Sequence, residues 1–268
     1  MVEFSIITGS AGLLGHQHAV ALAELGHNLI LIDLNKKKLI LQVKKLKKQF
    51  PKIKILPFSC DITNEKKILD IKKLITQKKF YPKILVNNAA LNPKMKKIKN
   101  LEASGSIEKY DLDFLKREID VNLISAFAMI KHFGPLMSKK KNGSIINIGS
   151  DLSVNAPDQS VYHKSEKINK VKNYKPIGYS LSKFGIVGLT KYVATYWGHK
   201  NVRCNTLVLG AVENKQPSFL KENVSKRIPL RRWAKKDEYK KALQFLAGDD
   251  SSYMTGQMLI IDGGRSTW

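Results

Sequence analysis

Only two cysteines, Cys60 and Cys204, occur in 268 residues, and both sit in apolar surroundings. Two such thiols exclude a disulfide framework and supply too few soft ligands for a metal cluster. No metal is expected, and a reducing, cytoplasmic setting is. No apolar run reaches the ~18–20 residues that a membrane-crossing helix needs, so no membrane contact is expected. The first residues, Met1-Val2-Glu3-Phe4-Ser5-Ile6-Ile7-Thr8-Gly9, carry no basic leader and no cleavage site, and read as a strand instead of a secretory signal. Acidic residues are scarce: 22 Asp and Glu against 47 Lys and Arg leave a formal net charge of +25. The excess is nearly all lysine, scattered through 36–54, 66–83, 94–99 and 139–141, with few aromatics between. Lysine lacks the planar fork that reads bases, and the stacking platforms for single strands are missing, so no specific nucleic-acid partner is expected. Such a surface would still steer small anions inward.

What remains is a chain that is 43% hydrophobic with 17 glycines, enough to bury one large core. Apolar runs at Phe4–Thr8, Asn28–Asp33, Ile53–Ser59, Ile84–Asn87, Ser144–Ile148, 202–208 and Met258–Ile261 predict strands. Helical periodicity between them covers His16–Leu25, 36–50, 64–78, 111–138, 178–198 and 237–247. In 36–50, Leu39, Val43 and Leu46 share one face and lysines occupy the rest. A Lys/Asn-rich loop runs to about 108, and 151–177 shows no clear period. Strands alternating with helices predict an α/β fold, a doubly wound parallel sheet with helices on both faces. No repeat or linker marks a second domain, so 1–268 reads as one.

Between the first strand and first helix lies Gly9-Ser10-Ala11-Gly12-Leu13-Leu14-Gly15. Glycines there allow a tight turn, close backbone approach to a pyrophosphate and close helix–strand packing, with the phosphate on the helix N-terminus. Asp33 ends the second strand, where a carboxylate accepts hydrogen bonds from an adenosine ribose and repels a 2′-phosphate. This favours NAD(H), although Lys36 and Lys37 could offset the repulsion and admit NADP(H). Farther on, Tyr179 and Lys183 stand four residues apart on a predicted helix, so their side chains share a face. A neighbouring ammonium favours the phenolate and suits the tyrosine to general acid–base work.

These features, with others along nearly the whole chain, resemble the short-chain dehydrogenase/reductase family and its Rossmann-type fold. Thr8-Gly9 through Gly15 is similar to the family's nucleotide loop, and Asp61-Ile62 to the pair that contacts adenine. Asn87-Asn88-Ala89-Ala90 resembles the strand end behind the cofactor. Asn122 matches the helix asparagine that holds a water in the proton relay, and Ser150 falls at the catalytic serine. The ending Tyr253-Met254-Thr255-Gly256-Gln257…Asp262-Gly263-Gly264 is similar to the family's C-terminal signature. The resemblance implies that Tyr179 exchanges a proton with the substrate oxygen while Ser150 hydrogen-bonds that oxygen. Lys183 would lower the tyrosine pKa and bind the nicotinamide ribose, Asn122 would link it to water, and Gly210 and Val212 would face the cofactor.

The chain departs from the family pattern in three places. The glycine spacing is that of the longer branch of sugar-nucleotide epimerases and dehydratases, yet the ending is that of the short branch. Ser150 and Tyr179 are unusually far apart, so about 154–175 reads as an insertion beside the active site, carrying Lys164, Lys167, Lys172 and Lys175. Those lysines read as a solvated loop. Tyr162 sits nearer the usual spacing, but Glu166 follows where a lysine is needed, so Tyr162 is read as a decoy. Leu209-Gly210 replaces the usual Pro-Gly.

Arg227, Pro229, Leu230, Arg231 and Arg232 resemble the segment after the mobile substrate loop, where an arginine could meet an anionic substrate. The insertion's edges resemble members of bacterial surface-carbohydrate pathways, implying a phosphorylated or nucleotide-activated sugar. The reading is an NAD(P)-dependent oxidoreductase on a small polar or anionic substrate. The alternatives are an epimerase or dehydratase without net redox change, and a non-catalytic binding protein. The resemblance also implies a homodimer or homotetramer paired through the two long helices, about 111–138 and 178–198, with Tyr192, Tyr196 and Trp197 at the interface or in the core.

Overall fold

The computed structural model describes residues 2–92, 106–163 and 173–268. Seven strands form one parallel sheet: β1 (Val2–Thr8), β2 (Asn28–Asp33), β3 (Ile55–Ser59), β4 (Phe80–Asn87), β5 (Gly143–Ile148), β6 (Val202–Leu209) and β7 (Met258–Ile261). Their spatial order is β3-β2-β1-β4-β5-β6-β7. Chain order reverses between β1 and β4, so the loops leaving these two strands diverge and open a crevice at the carboxyl edge of the sheet. The expected doubly wound α/β fold is therefore the observed one.

Helices α1 (Leu13–Glu24), α2 (Lys36–Gln49) and α8 (Lys240–Ala247) cover one face. Helices α3 (Glu65–Gln77), α5 (Ser125–Lys140) and α6 (Ile177–Trp197) cover the other. Successive strand residues point to opposite faces, so Ile7, Leu29 and Leu31 join the first layer and Phe4, Ile6, Ile30 and Ile32 the second. Strands covered on both sides must be apolar throughout, which is why they read as unbroken runs. Leu39, Val43 and Leu46 of α2 are buried as their spacing predicts, and the lysines between them are left to solvent.

Three local outcomes differ from the sequence expectation. Strand β4 begins at Phe80 instead of Ile84; Pro82 lies opposite Phe4, and the register to β1 shifts directly after that pair, which accommodates a residue without an N–H. The long helix predicted over 111–138 is α4 (Leu112–Ile119), a π turn at Asp120–Ile124, and α5. Leu209 extends β6 in register with Ile261, whose carbonyl accepts the next N–H, that of Gly210. Helix α7 (Ser218–Ser225) lies in the region expected as loop and helix.

Tyr192 and Tyr196 are exposed and stack on each other at 6.0 Å, so core packing does not explain them. Trp197 is half-buried over Gly134, where a Cβ would fall 2.2 Å from its ring. Among the described residues no helix is long and apolar enough to cross a membrane.

His18 on α1 is fully buried, and neither ring nitrogen has a partner among the described residues. Burial pulls its pKa down to about 4 from 6.5. Between those values the unfolded chain binds a proton that the folded chain refuses, so acidification favours unfolding. Urea unfolding followed from about pH 7 to pH 4 should show stability falling across this window by as much as ~3 kcal/mol. His18→Leu should flatten that part of the profile.

Candidate active site

The crevice is built from strand ends. β1 stops at Thr8, and Gly9 turns with φ +60°, where a Cβ would lie 2.7 Å from Ala89 Cα. A Cβ on Gly15 would stand 2.1 Å from the Gly9 carbonyl oxygen, so only glycine lets α1 start this close to the loop. Gly12 N-caps α1 without a side-chain cap, leaving the first-turn N–H groups to an outside acceptor. Asp33 at the end of β2 accepts from Ala11 N–H (2.9 Å) and Asn35 N–H (2.8 Å), which pins its carboxylate beside the loop. Ser10 donates its N–H to the Ile32 carbonyl, and its hydroxyl has no partner among the described residues.

Asn88 ties β4 to this loop: its amide donates to the carbonyls of Thr8 (2.9 Å) and Gly9 (3.1 Å), while Thr8 Oγ1 accepts the N–H groups of Asn88 and Ala89. Ala90 is exposed just beyond. After β3, the Asp61 carboxylate accepts from Thr63 Oγ1 (2.7 Å) and N–H, which holds it below the usual range, and Ile62 is buried. Gly210 leaves β6 so tightly that a Cβ would meet Asp262 Cα at 2.7 Å, and Val212 bridges to Ala234. These residues fit a dinucleotide: a cradle that Cβ atoms would fill, an uncapped helix N-terminus for the pyrophosphate and a fixed carboxylate at the ribose position. Lys36 and Lys37 stand exposed at the start of α2.

Ser150, Tyr179 and Lys183 meet where β5 ends beside the first turns of α6. Tyr179 is half-buried with its hydroxyl hydrogen-bonded to Ser150. Ser150 gives its single proton to Asp151 Oδ1 (2.7 Å), so its oxygen can serve the phenol only as acceptor. Lys183 donates to the Ile148 carbonyl at 2.6 Å, and its ammonium is 5.6 Å from the Tyr179 ring centroid. The depressed phenol pKa expected from Tyr179–Lys183 spacing is not the outcome. Burial pushes the Tyr179 phenol up, because desolvation penalises the phenolate. Lys183 is pushed the other way, down to about 8, by burial and by Lys175.

Asn122 lies in the π turn, a distortion that re-aims side chains at functional sites. Its Oδ1 accepts from Leu91 N–H (2.6 Å), and its amide donates to the Leu91 carbonyl (3.0 Å) and to Ser182 Oγ (3.2 Å). Both amide N–H groups are thus engaged away from Lys183.

Several residues of the site carry no local sequence signal. Asp151 forms a largely buried ion pair with Arg265 near the C-terminus. Tyr162, read as a decoy, contributes to the field at Tyr179, and burial pushes its own phenol up to about 12. Glu118 of α4 is fully buried and accepts from the Tyr110 hydroxyl. Lys175 rises over the Tyr179 ring. Arg227 and Arg232 pair with Asp158 and Glu238. Lys164, Glu166, Lys167 and Lys172 lie outside the described residues.

A family model described as enoyl-(acyl carrier protein) reductase matches residues 9–266. The 3-oxoacyl-[acyl-carrier-protein] reductase FabG of Thermotoga maritima is 30% identical over 263 residues, 97% of this chain and 96% of that protein. The chain belongs to the short-chain dehydrogenase/reductase family. It is an NAD(P)-dependent oxidoreductase. Among solved structures, NAD+-bound xylitol dehydrogenase superposes with a TM-score of 0.82 at 24% identity, covering 98% of each chain. A gluconate 5-dehydrogenase of Burkholderia cenocepacia, in complex with NADP and tartrate, gives 0.83 at 24% identity, covering all of this chain and 96% of that one. At this identity the two structures bear on the fold alone.

Removing one partner of the Asp151–Arg265 pair would strand a buried charge. Arg265→Gln should destabilise this short-chain dehydrogenase/reductase by ~3 kcal/mol in urea unfolding. A loss no larger than that of an exposed pair, about 1 kcal/mol or less, would mean that Asp151 is not held by Arg265.

Proposed function

We propose that this enzyme interconverts a hydroxyl and a carbonyl on a small polar substrate, with Tyr179 as the proton-transfer group. The Tyr179–Ser150–Asp151 chain carries the reading: Asp151 orients the Ser150 proton, and the serine oxygen faces the phenol. On reduction Tyr179 Oη gives its proton to the substrate oxygen, and on oxidation it takes the proton back. When the substrate oxygen enters, Ser150 exchanges its bond to Asp151 for one to that oxygen and stabilises its developing charge. Lys183, held by Ile148, supplies the positive charge that a phenolate requires. Asn122 fixes Leu91 and Ser182, and so the wall between the β4 loop and α6. The nicotinamide, when bound, supplies or accepts the hydride. Gly9–Gly15, Asp33, Asp61, Ile62, Asn88–Ala90, Gly210 and Val212 would hold it.

Asp33 favours NAD(H), because its fixed carboxylate accepts from a ribose diol and repels a 2′-phosphate. An activated sugar remains one member of the substrate class. Calorimetric titration should give tighter binding of NADH than of NADPH at both low and high salt. Tyr179→Phe should cut turnover by about 10³-fold or more and leave NADH affinity within a factor of about two. Loss of NADH binding in that variant would make Tyr179 structural, and NADPH preference would mean that Lys36 and Lys37 outweigh Asp33.

We also propose a homodimer or homotetramer through α5 and α6. Ile124 at the end of the π turn, with Phe127, Leu181, Phe184, Tyr192 and Tyr196 on the two helices, leaves exposed apolar surface there. Sedimentation should show the oligomer, and Phe184→Glu should shift it toward monomer. A wild-type monomer at tens of micromolar would overturn the assignment.

A further inference from the structure

Lys175 stands two residues before α6 and is fixed at both ends. Its backbone N–H donates to Gln159 Oε1 at 2.9 Å, and its ammonium to Asn92 Oδ1 at 2.8 Å. The ammonium lies 4.0 Å from the Tyr179 ring centroid, nearer than Lys183 at 5.6 Å. Two cations therefore flank one phenol.

The charged groups around Lys175 come from four elements: Asp151 after β5, Glu118 on α4, Arg265 near the C-terminus and Lys183 on α6. Asp151 is already paired, and Glu118 is engaged through one of its two oxygens, the other having no partner among the described residues. Asp151 holds Arg265 and the Ser150 hydroxyl, while Glu118 accepts from Tyr110 and is pushed by burial toward its protonated form. Among the described residues no carboxylate lies within 4.0 Å of the Lys175 ammonium, and none within that distance of Lys183. Burial lowers both lysines to about 8. A partly buried ammonium without a close counter-ion is unfavourable, and an oxyanion against Lys175 would remove that penalty.

We infer that Lys175 binds an oxyanion on the substrate, a carboxylate or a phosphate, and holds it beside the Tyr179 hydroxyl. The inference rests on the proposed function, since it takes the Tyr179 face as the substrate side. It restricts the substrates to hydroxy or oxo acids and to phosphorylated alcohols or ketones. Lys175 then acts as the specificity-determining cation of the site.

The test uses protein saturated with NADH, its cofactor fluorescence monitored so that anions displacing the cofactor are seen. Inorganic phosphate and malonate are titrated separately by calorimetry at about pH 8.5, in two buffers of different ionisation heat. The wild type should bind one of them saturably and take up protons, because the anion raises the lysine pKa. Lys175→Met should weaken binding by about tenfold or more and reduce the proton uptake. Lys175→Arg should retain the binding with reduced uptake, since arginine stays charged. The exposed control Lys226→Met should bind as the wild type.

Tighter phosphate binding names a phosphorylated substrate, and tighter malonate binding a carboxylate. Absence of saturable binding in the wild type, or unchanged binding in a folded Lys175→Met, overturns the inference. Intact NADH binding in the same samples keeps that failure separate from failure of the cofactor reading.

Discussion

Four residues just beyond β4 organise the site. Asn88 and Ala89 lock onto Thr8 and Gly9 across the reversal of strand order, and Gly9 lies so close to Ala89 that no side chain fits between. Leu91 is gripped through both backbone groups by Asn122. Asn92 reaches the Lys175 ammonium. Consecutive positions thus join the cofactor loop, the π turn and the cation over Tyr179.

Behind this edge a buried polar ladder fixes the strand ends to α6. Asn87 donates to Asn147 (2.8 Å), Asn147 to Thr190 (2.8 Å), and Thr190 meets Thr206 (2.7 Å). Asn87 pairs with Asn147 and Asn147 with Thr206 in the sheet register, so the strands themselves align the polar groups that α6 covers. Buried polar groups are costly unless satisfied; Thr190 of α6 serves Asn147 and Thr206, while Asn87 Oδ1 has no partner among the described residues. The ladder therefore specifies the seating of the helix that carries Tyr179 and Lys183.

The strands and the nucleotide loop were legible in the sequence because local rules fix both. Strands buried on two faces must be apolar, and glycine at Gly9 and Gly15 answers steric demands made within a few residues. The β4 start was missed because Tyr81-Pro82-Lys83 has the composition of a turn, and only the partner strand tolerates the proline. The π turn at Asn122 has no distinct periodicity over five residues. Asp151–Arg265 and Lys175–Asn92 join distant parts of the chain, where spacing carries no information. The candidate tyrosine, lysine and serine were nameable from pattern, but the direction of the Tyr179 shift depended on enclosure, which no pattern expresses.

The enclosure also creates a competition. Burial favours the protonated phenol, and only Lys175 and Lys183 lie close enough among the described cations near its ring to favour the phenolate. An oxyanion on Lys175 would compensate that charge and withdraw it from the phenol, leaving Lys183 to sustain the phenolate. An anionic substrate would then keep Tyr179 protonated longer than a neutral one. The pH at which its proton becomes available for transfer would follow from what Lys175 holds, so recognition and acid–base balance would share one ammonium.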